Sequence, residues 1–197
     1  IASIKLDGSD FSIFARGVRN SVGFLFHPIT NDLWFTDNGR DGLGDDLPPC
    51  ELNYSDGPGY HFGFPYCFGN NIIDKTLSYK NTCNQFIPTM VDFEAHVAPL
   101  GIDISTGNLF SESLNNTIFI AQHGSWNRSK KIGYRIAYAK LNDEHKKIID
   151  KGIFAEGWLK KNGNVLGRPT DILFNQSGDM FISDDLLGNI YIIKYQN

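Results

Sequence analysis

Three apolar strands of similar make recur along the chain: Leu33-Trp34-Phe35-Thr36-Asp37, Ile118-Phe119-Ile120-Ala121-Gln122 and Met180-Phe181-Ile182-Ser183-Asp184. Each follows a strand and a polar turn, ends in a polar residue and leads into a loop. The turn is His27-Pro28-Ile29-Thr30-Asn31-Asp32 in the first unit and Asn175-Gln176-Ser177-Gly178-Asp179 in the last. Pro, Asn, Asp and Gly between apolar runs mark antiparallel meanders. A meander repeated at irregular intervals of several tens of residues predicts an all-β chain of the β-propeller type, with its loops inserted on one face. The 197 residues hold about three such blades, and no propeller closes with so few. The expectation is therefore a piece of a longer protein, entered in mid-domain at Ile1-Ala2-Ser3-Ile4.

The first strands of the units are Val22-Gly23-Phe24-Leu25-Phe26, Leu100-Gly101-Ile102-Asp103-Ile104 and Thr170-Asp171-Ile172-Leu173-Phe174. Further strands are expected at Tyr134 to Ala139, from Ile148 toward Trp158, and at Ile190 to Tyr195. The span from Pro48 to Pro99 reads as irregular.

Basic residues occur as the pairs Lys130-Lys131, Lys146-Lys147 and Lys160-Lys161 in a chain of net charge −4. Pairs in an acidic chain argue against nucleic acid or anionic membrane as partner. No apolar run approaches the roughly 20 residues of a membrane span.

Cys50, Cys67 and Cys83 match no zinc spacing. Cys67 and Cys83 flank a polar loop. A bridge there would contribute about 3 kcal/mol in the loop-entropy picture; three separate buried thiols are the alternative.

Several clusters are candidates for chemistry. Arg19-Asn20 precedes the first unit, and Arg168, in Gly167-Arg168-Pro169-Thr170-Asp171, stands at the matching place in the last. Guanidinium forks repeated at one blade position suit a ligand carrying several carboxylates, although surface arginines paired with nearby Asp give the same spacing. Asn38-Gly39-Arg40-Asp41-Gly42-Leu43-Gly44-Asp45-Asp46 could hold Ca²⁺ through carbonyls and carboxylates, or be a solvated acidic loop. His123, among Gly124, Ser125 and Trp126, is a pocket residue, a proton carrier or a structural residue.

Taken together these motifs resemble the soluble quinoprotein glucose/sorbosone dehydrogenases, most of all the sorbosone-dehydrogenase-like branch. The matching stretches are Gly17-Val18-Arg19-Asn20, Trp34 to Gly39, Asp45 to Asn53 and His61-Phe62-Gly63-Phe64-Pro65. Later ones are His123 to Arg128, Gly133-Tyr134-Arg135 and Gly167 to Asp171. The resemblance implies a six-bladed propeller, with residues 1–197 as the C-terminal half of its single domain. It implies the cofactors pyrroloquinoline quinone (PQQ) and Ca²⁺. Arg19 and Asn20 would contact the quinone, with Arg19 stabilising its oxygen. Arg168 would meet the cofactor's carboxylates and His123 would line its pocket. The backbone carbonyls of Gly39 and Arg40 would hold the metal.

Glucose-oxidising members have proline where this chain has Arg40, and a second arginine where it has Thr170. Their cofactor lysine would fall near Lys130 or Lys131. Their histidine base lies upstream of the Arg-Asn motif, outside this chain. The substrate would be a sugar or aldehyde such as an aldose or sorbosone; the electron acceptor is unspecified. A periplasmic or secreted location follows, and with it a Cys67–Cys83 disulfide. A non-catalytic ligand-binding propeller and a Ca²⁺-dependent lactonase, with a cage drawn from Asp45, Asp46 and Asn53, are the alternatives.

Residues 1–197 expressed alone are expected not to oxidise sugars even with PQQ and Ca²⁺ added, since loss of a general base alone typically costs about 10²–10⁴-fold in rate. Titration with PQQ, followed by quinone absorbance and sugar oxidation, checks this; turnover by the monomeric chain would refute the placement of the base.

Overall fold

The structure is a computed structural model, and it describes residues 1–77, 82–106 and 110–195. A short hairpin, β1 (Ala2–Ser3) with β2 (Ser12–Ile13), precedes β3 (Ala15–Arg16). The first meander is β4 (Phe24–Phe26), β5 (Leu33–Asp37) and β6 (Cys50–Ser55). Small strands follow: β7 (Tyr60–His61), which pairs in parallel with β3, then β8 (Cys67–Phe68) and β9 (Ile72–Ile73), which pair together. β10 (Val91–Phe93) then completes the first sheet in the order β10-β6-β5-β4.

The second sheet runs in sequence order: β11 (Pro99–Ser105), β12 (Thr117–Gln122), β13 (Arg135–Leu141) and β14 (Ile148–Glu156). The third comprises β15 (Pro169–Phe174), β16 (Met180–Asp184) and β17 (Asn189–Ile193). All three sheets are antiparallel. The meanders expected from the repeat are present, and β5 and β16 have the expected bounds.

The Pro48-to-Pro99 span differs from its reading. It contains β6 and β10, two full members of the first sheet. β6 does alternate, with Cys50, Leu52 and Tyr54 apolar and Glu51, Asn53 and Ser55 polar, but the alternation is easily overlooked among the flanking Pro, Gly and Asp residues, and the polar face is buried as well.

Alternate residues of β12 serve two cores. Ile118 and Ile120 pack toward the first sheet with Trp34, Leu52, Ile102 and Ala137. Phe119 and Ala121 pack toward the third with Phe110, Ile172, Met180 and Ile182. A strand covered on both faces needs an unbroken apolar run, which is what Ile118 to Ala121 supplies. The cysteines sort by the same geometry: Cys67 and Cys83 form a disulfide with Cα atoms 5.9 Å apart, and Cys50 is a free thiol in the first core.

The innermost strands approach too closely for side chains between them. A Cβ built on Gly101 would lie 2.6 Å from the Asp171 Cα, and one on Gly23 would lie 2.9 Å from the Gly101 Cα. Polar bonds knit the same seam: Thr36 Oγ1 donates to Leu100 O at 3.0 Å, and Phe174 N donates to Asp103 Oδ2 at 2.7 Å. At the opposite end, His27 and His145 share the Asn116 side-chain oxygen at 3.3 and 2.8 Å, joining turns of the first two sheets.

Gly101→Ala is expected to destabilise the fold by about 1–3 kcal/mol through overpacking against backbone, whereas Gly57→Ala, where a Cβ meets nothing within 4 Å, should cost little. Urea unfolding followed by circular dichroism measures both; equal midpoints would show that the seam can spread.

Candidate functional site

Arg19-Asn20 and Arg168 sit in loops that enter the first and third sheets, and each loop is fastened to the terminal Asp of the sheet's second strand. Arg19 N and Asn20 N donate to the two oxygens of Asp37 at 2.8 and 2.6 Å. Arg168 N donates to Asp184 Oδ1 at 2.9 Å, Leu186 N shares that oxygen at 2.9 Å, and Tyr191 Oη donates to Oδ2 at 2.9 Å. Both carboxylates are buried. Burial pushes the Asp37 pKa up against the pull of the Arg19 and Asn20 N–H groups. At Asp184 burial acts in the same sense but is outweighed by N–H and phenol donors, and the pKa falls below its ordinary value. Sequence reasoning missed both aspartates as anchors; the signal was the recurring Thr36-Asp37 and Ser183-Asp184 at strand ends.

The guanidinium groups bind carbonyls. Arg19 Nη1 reaches Asn38 O at 3.0 Å and Gly39 O at 3.3 Å. Arg168 Nε and Nη2 reach His123 O at 3.3 Å and Gly124 O at 2.9 Å, with the Tyr134 ring 5.6 Å from the guanidinium carbon. Among the described residues neither arginine is ion-paired with a carboxylate, so the alternative of ordinary paired surface arginines does not hold. Thr170, where the resemblance expected an arginine, donates to Arg168 O at 3.1 Å. His123 is joined to Asp185 through Nε2, 2.9 Å from Oδ1.

The Arg19 and Arg168 halves meet through one segment: Pro99 O accepts from Asn38 Nδ2 at 3.2 Å, and the preceding Ala98 O accepts from His123 N at 2.9 Å. His96 and Ala98 there adopt left-handed backbone at φ 68° and 53°, a conformation that costs non-glycine residues energy and clusters at functional sites.

Arg40 departs from proline with a defined role. Its side chain forms a fork to Asp74, at 2.6 and 3.1 Å, and reaches Thr76 Oγ1 at 2.6 Å. The guanidinium holds the Asp74 carboxyl well below the usual carboxylate range. The acidic loop after it is fastened to the loop following β12. Asp41 accepts from Asn127 at 3.1 Å, Asp45 from Ser129 N at 3.1 Å and Asp46 from Arg128 at 2.8 Å. Arg128 also donates to Asp45 O, and His96 contacts Gly44 O. These carboxylates are engaged by protein donors, and Asn53 lies elsewhere, in β6, donating to Glu51 at 3.0 Å. The cage of Asp45, Asp46 and Asn53 is therefore not assembled. Among the described residues no three His, Cys, Asp or Glu side chains are grouped to hold a metal, and the Gly39 carbonyl accepts from Arg19 Nη1. Lys130 and Lys131 lie in a separate groove whose walls include neither His123 nor Arg168.

The family model for glucose/sorbosone dehydrogenases matches residues 3–125, and a TrAA12-like model matches residues 71–196. The chain belongs to the glucose/sorbosone dehydrogenase family. An uncharacterized protein of Borreliella burgdorferi is 43% identical over 199 residues, spanning 100% of this chain and 52% of that protein. A pyrroloquinoline quinone-dependent sugar dehydrogenase of Hypocrea jecorina is 23% identical over 216 residues, spanning 93% of this chain and 48% of its own length. The chain thus covers about half the length of the curated relatives it matches. The iodide structure of the Trichoderma reesei AA12 carbohydrate-active enzyme superposes with a TM-score of 0.72 at 22% identity, covering 90% of this chain and 53% of that one. The shared fold makes the three sheets blades of a β-propeller.

Beneath Arg19, Asn38 and Gly39 lies Glu51, 6% exposed and bonded by Asn53 Nδ2 and Gly69 N. Burial pushes its pKa from 4.5 up to about 7, against those two bonds and with help from Asp37 and Asp92. A carboxyl whose folded pKa is raised contributes stability fully below pH 4.5 and loses it as pH rises through about 7. The loss approaches about 3 kcal/mol at 1.36 kcal/mol per pKa unit. A neutral group can also donate to the Asn53 side-chain oxygen, which has no partner among the described residues. Glu51→Gln is expected to raise the melting temperature at pH 8 and leave it nearly unchanged at pH 5, measured by calorimetry in chelator; the same difference at both pH values would refute the raised pKa.

Proposed function

We propose that this chain is the C-terminal half, residues 1–197, of a PQQ- and Ca²⁺-dependent sugar or aldehyde dehydrogenase built as a six-bladed propeller. The observation that carries this reading is the pair Arg19 and Arg168. Both are free of carboxylate partners among the described residues, and both are held at one end of the blades by buried aspartates. Unpaired guanidiniums anchored through their own backbone fit a planar ligand with several carboxylates. The carbonyls of Gly39 and Arg40 are the proposed oxygen ligands of a hard cation, which at Gly39 would take the place of the Arg19 Nη1 donor.

PQQ and Ca²⁺, when bound, supply a quinone that accepts hydride and a Lewis acid that polarises it. The chain's own residues orient and stabilise. Arg168 binds carboxylate, with its fork set by the His123 and Gly124 carbonyls. His123, fixed by Asp185, lines the pocket. Arg19 and Asn20 would hold the quinone end of the cofactor, and the Arg19 charge would stabilise negative charge there. The Arg40–Asp74 fork ties down the side chain at the position where glucose-oxidising members have proline. The base that removes the substrate hydroxyl proton belongs to the other half of the propeller.

An aldose or sorbosone-like compound is the proposed substrate. A periplasmic or secreted location agrees with the Cys67–Cys83 bridge. No helix among the described residues is long and apolar enough to cross a membrane.

At full length the protein is expected to oxidise aldoses in a dye-linked assay with PQQ and Ca²⁺. Arg19→Gln should lower kcat by about 10²–10³-fold. Arg168→Gln should weaken PQQ binding about 10–100-fold, as for a lost hydrogen bond to a charged group. No turnover over a broad sugar panel, together with no PQQ binding, would overturn the reading.

A further inference from the structure

Two of the three lysine pairs noted in the sequence face one another in space. Lys130-Lys131 lies on the loop between β12 and β13, and Lys160-Lys161 on the loop between β14 and β15. Together with Ser129 and Asn162 they line a groove of about 650 Å³ that no Asp or Glu lines. The lysine loops are ordered by their own bonds. Lys160 N and O bond Asn164 O and Gly163 N, both at 2.9 Å, and Lys131 Nζ donates to Gly163 O at 3.1 Å. Among the described residues none of the four ammonium groups is ion-paired, a state they share with most of the other lysines; what sets them apart is that they line one groove.

Four like charges gathered in one groove repel one another, and here they do so on a chain of net charge −4. The four exposed ammonium groups raise the local positive potential and attract an anion. The groove's two walls are the same two loops that build the candidate site at their other ends, through His123 and Gly124 on one and Arg168 on the other. Trp126, 77% exposed, stands on the first of these loops. Its neighbours are held firmly: Ser125 is buried, Asn127 is tied to Asp41 and Arg128 to Asp46. An outward-held Trp is the kind of residue that anchors protein interfaces, and Trp126 precedes by three residues the Ser129 that lines the groove.

We propose that this groove, with Trp126, docks an acidic one-electron carrier protein that removes the electrons of the proposed oxidation; the inference rests on the dehydrogenase reading. Oxidation of one CH–OH group to C=O releases two electrons and two protons. Two oxidised carrier molecules each take up one electron in turn, and the protons pass to water. A sugar must enter the axial site itself, but a carrier needs only to dock beside it. The groove is separate from that site but shares its two loops, and complementary charge speeds the encounter.

The test has a binding arm and a turnover arm. A fluorescein-labelled ten-residue polyglutamate peptide, followed by anisotropy at low ionic strength, should bind this chain saturably and be released by salt. The fourfold Lys→Gln variant at 130, 131, 160 and 161 should bind it at least about tenfold more weakly. Unchanged binding would overturn the proposal.

In the full-length protein, Lys160→Gln/Lys161→Gln should leave sugar oxidation with uncharged benzoquinone as acceptor unchanged. The same variant should lower kcat/KM for plastocyanin, an acidic copper protein, roughly tenfold, with the loss vanishing at high salt. Equal rates with plastocyanin, or a loss confined to acidic sugars as substrates, would overturn carrier docking while leaving the dehydrogenase reading intact. Absence of turnover with benzoquinone in the unsubstituted protein would sink both.

Discussion

The close approach of the innermost strands governs the rest of this structure. Gly23 meets the Leu100–Gly101 backbone, and Gly101 meets Asp171. Without side chains at those two points, three twisted sheets can converge at one end while fanning apart at the other. The wedge between sheets then fills with large apolar groups, Trp34 and Leu52 on one side of β12 and Phe119 and Phe110 on the other. A methyl group at Gly101 would push the sheets apart and carry Arg19 away from Arg168.

That convergence puts the loops of three blades together, and short polar contacts then lock them. Asp37 and Asp184 perform the same task in two blades, each accepting N–H groups of an arginine-bearing loop. In the second blade the strand ends in Gln122, whose side-chain oxygen instead accepts from Arg135 Nε at 2.6 Å, with Arg135 in turn bound to Glu94 at 2.9 Å. One scaffold position thus holds an incoming loop twice and a neighbouring strand once. The arginines gain orientation without losing charge to a carboxylate, which leaves that charge for a ligand.

The acidic loop illustrates how composition can mislead about chemistry. Glycine and carboxylates in alternation suggest a hard-cation loop, yet Asp41, Asp45 and Asp46 are bound by Asn127, Ser129 and Arg128. A carboxylate satisfied by protein donors has less to offer a metal. The loop's role is to fasten the first blade to the second, and Arg40, turned to Asp74, fixes its beginning.

Periodicity and turn chemistry in the sequence determined the all-β class, the three meanders and most strands, because strands with one or two apolar faces declare themselves through their side-chain pattern. The repeated position of Arg19 and Arg168 was legible for the same reason. β6 was not picked out, although its residues alternate, because it sits among Pro, Gly and Asp residues; its polar face, Glu51 and Asn53, is buried through a bond within the strand and one to Gly69. Nor could the sequence tell which Lys pairs would face one another, or that the loop carboxylates already had donors 80 or more residues away. Such contacts depend on how the sheets pack, and packing here is decided by backbone distances at two glycines. Local sequence fixes what a segment can become; only the tertiary arrangement decides which charges meet a partner and which stay free to bind one.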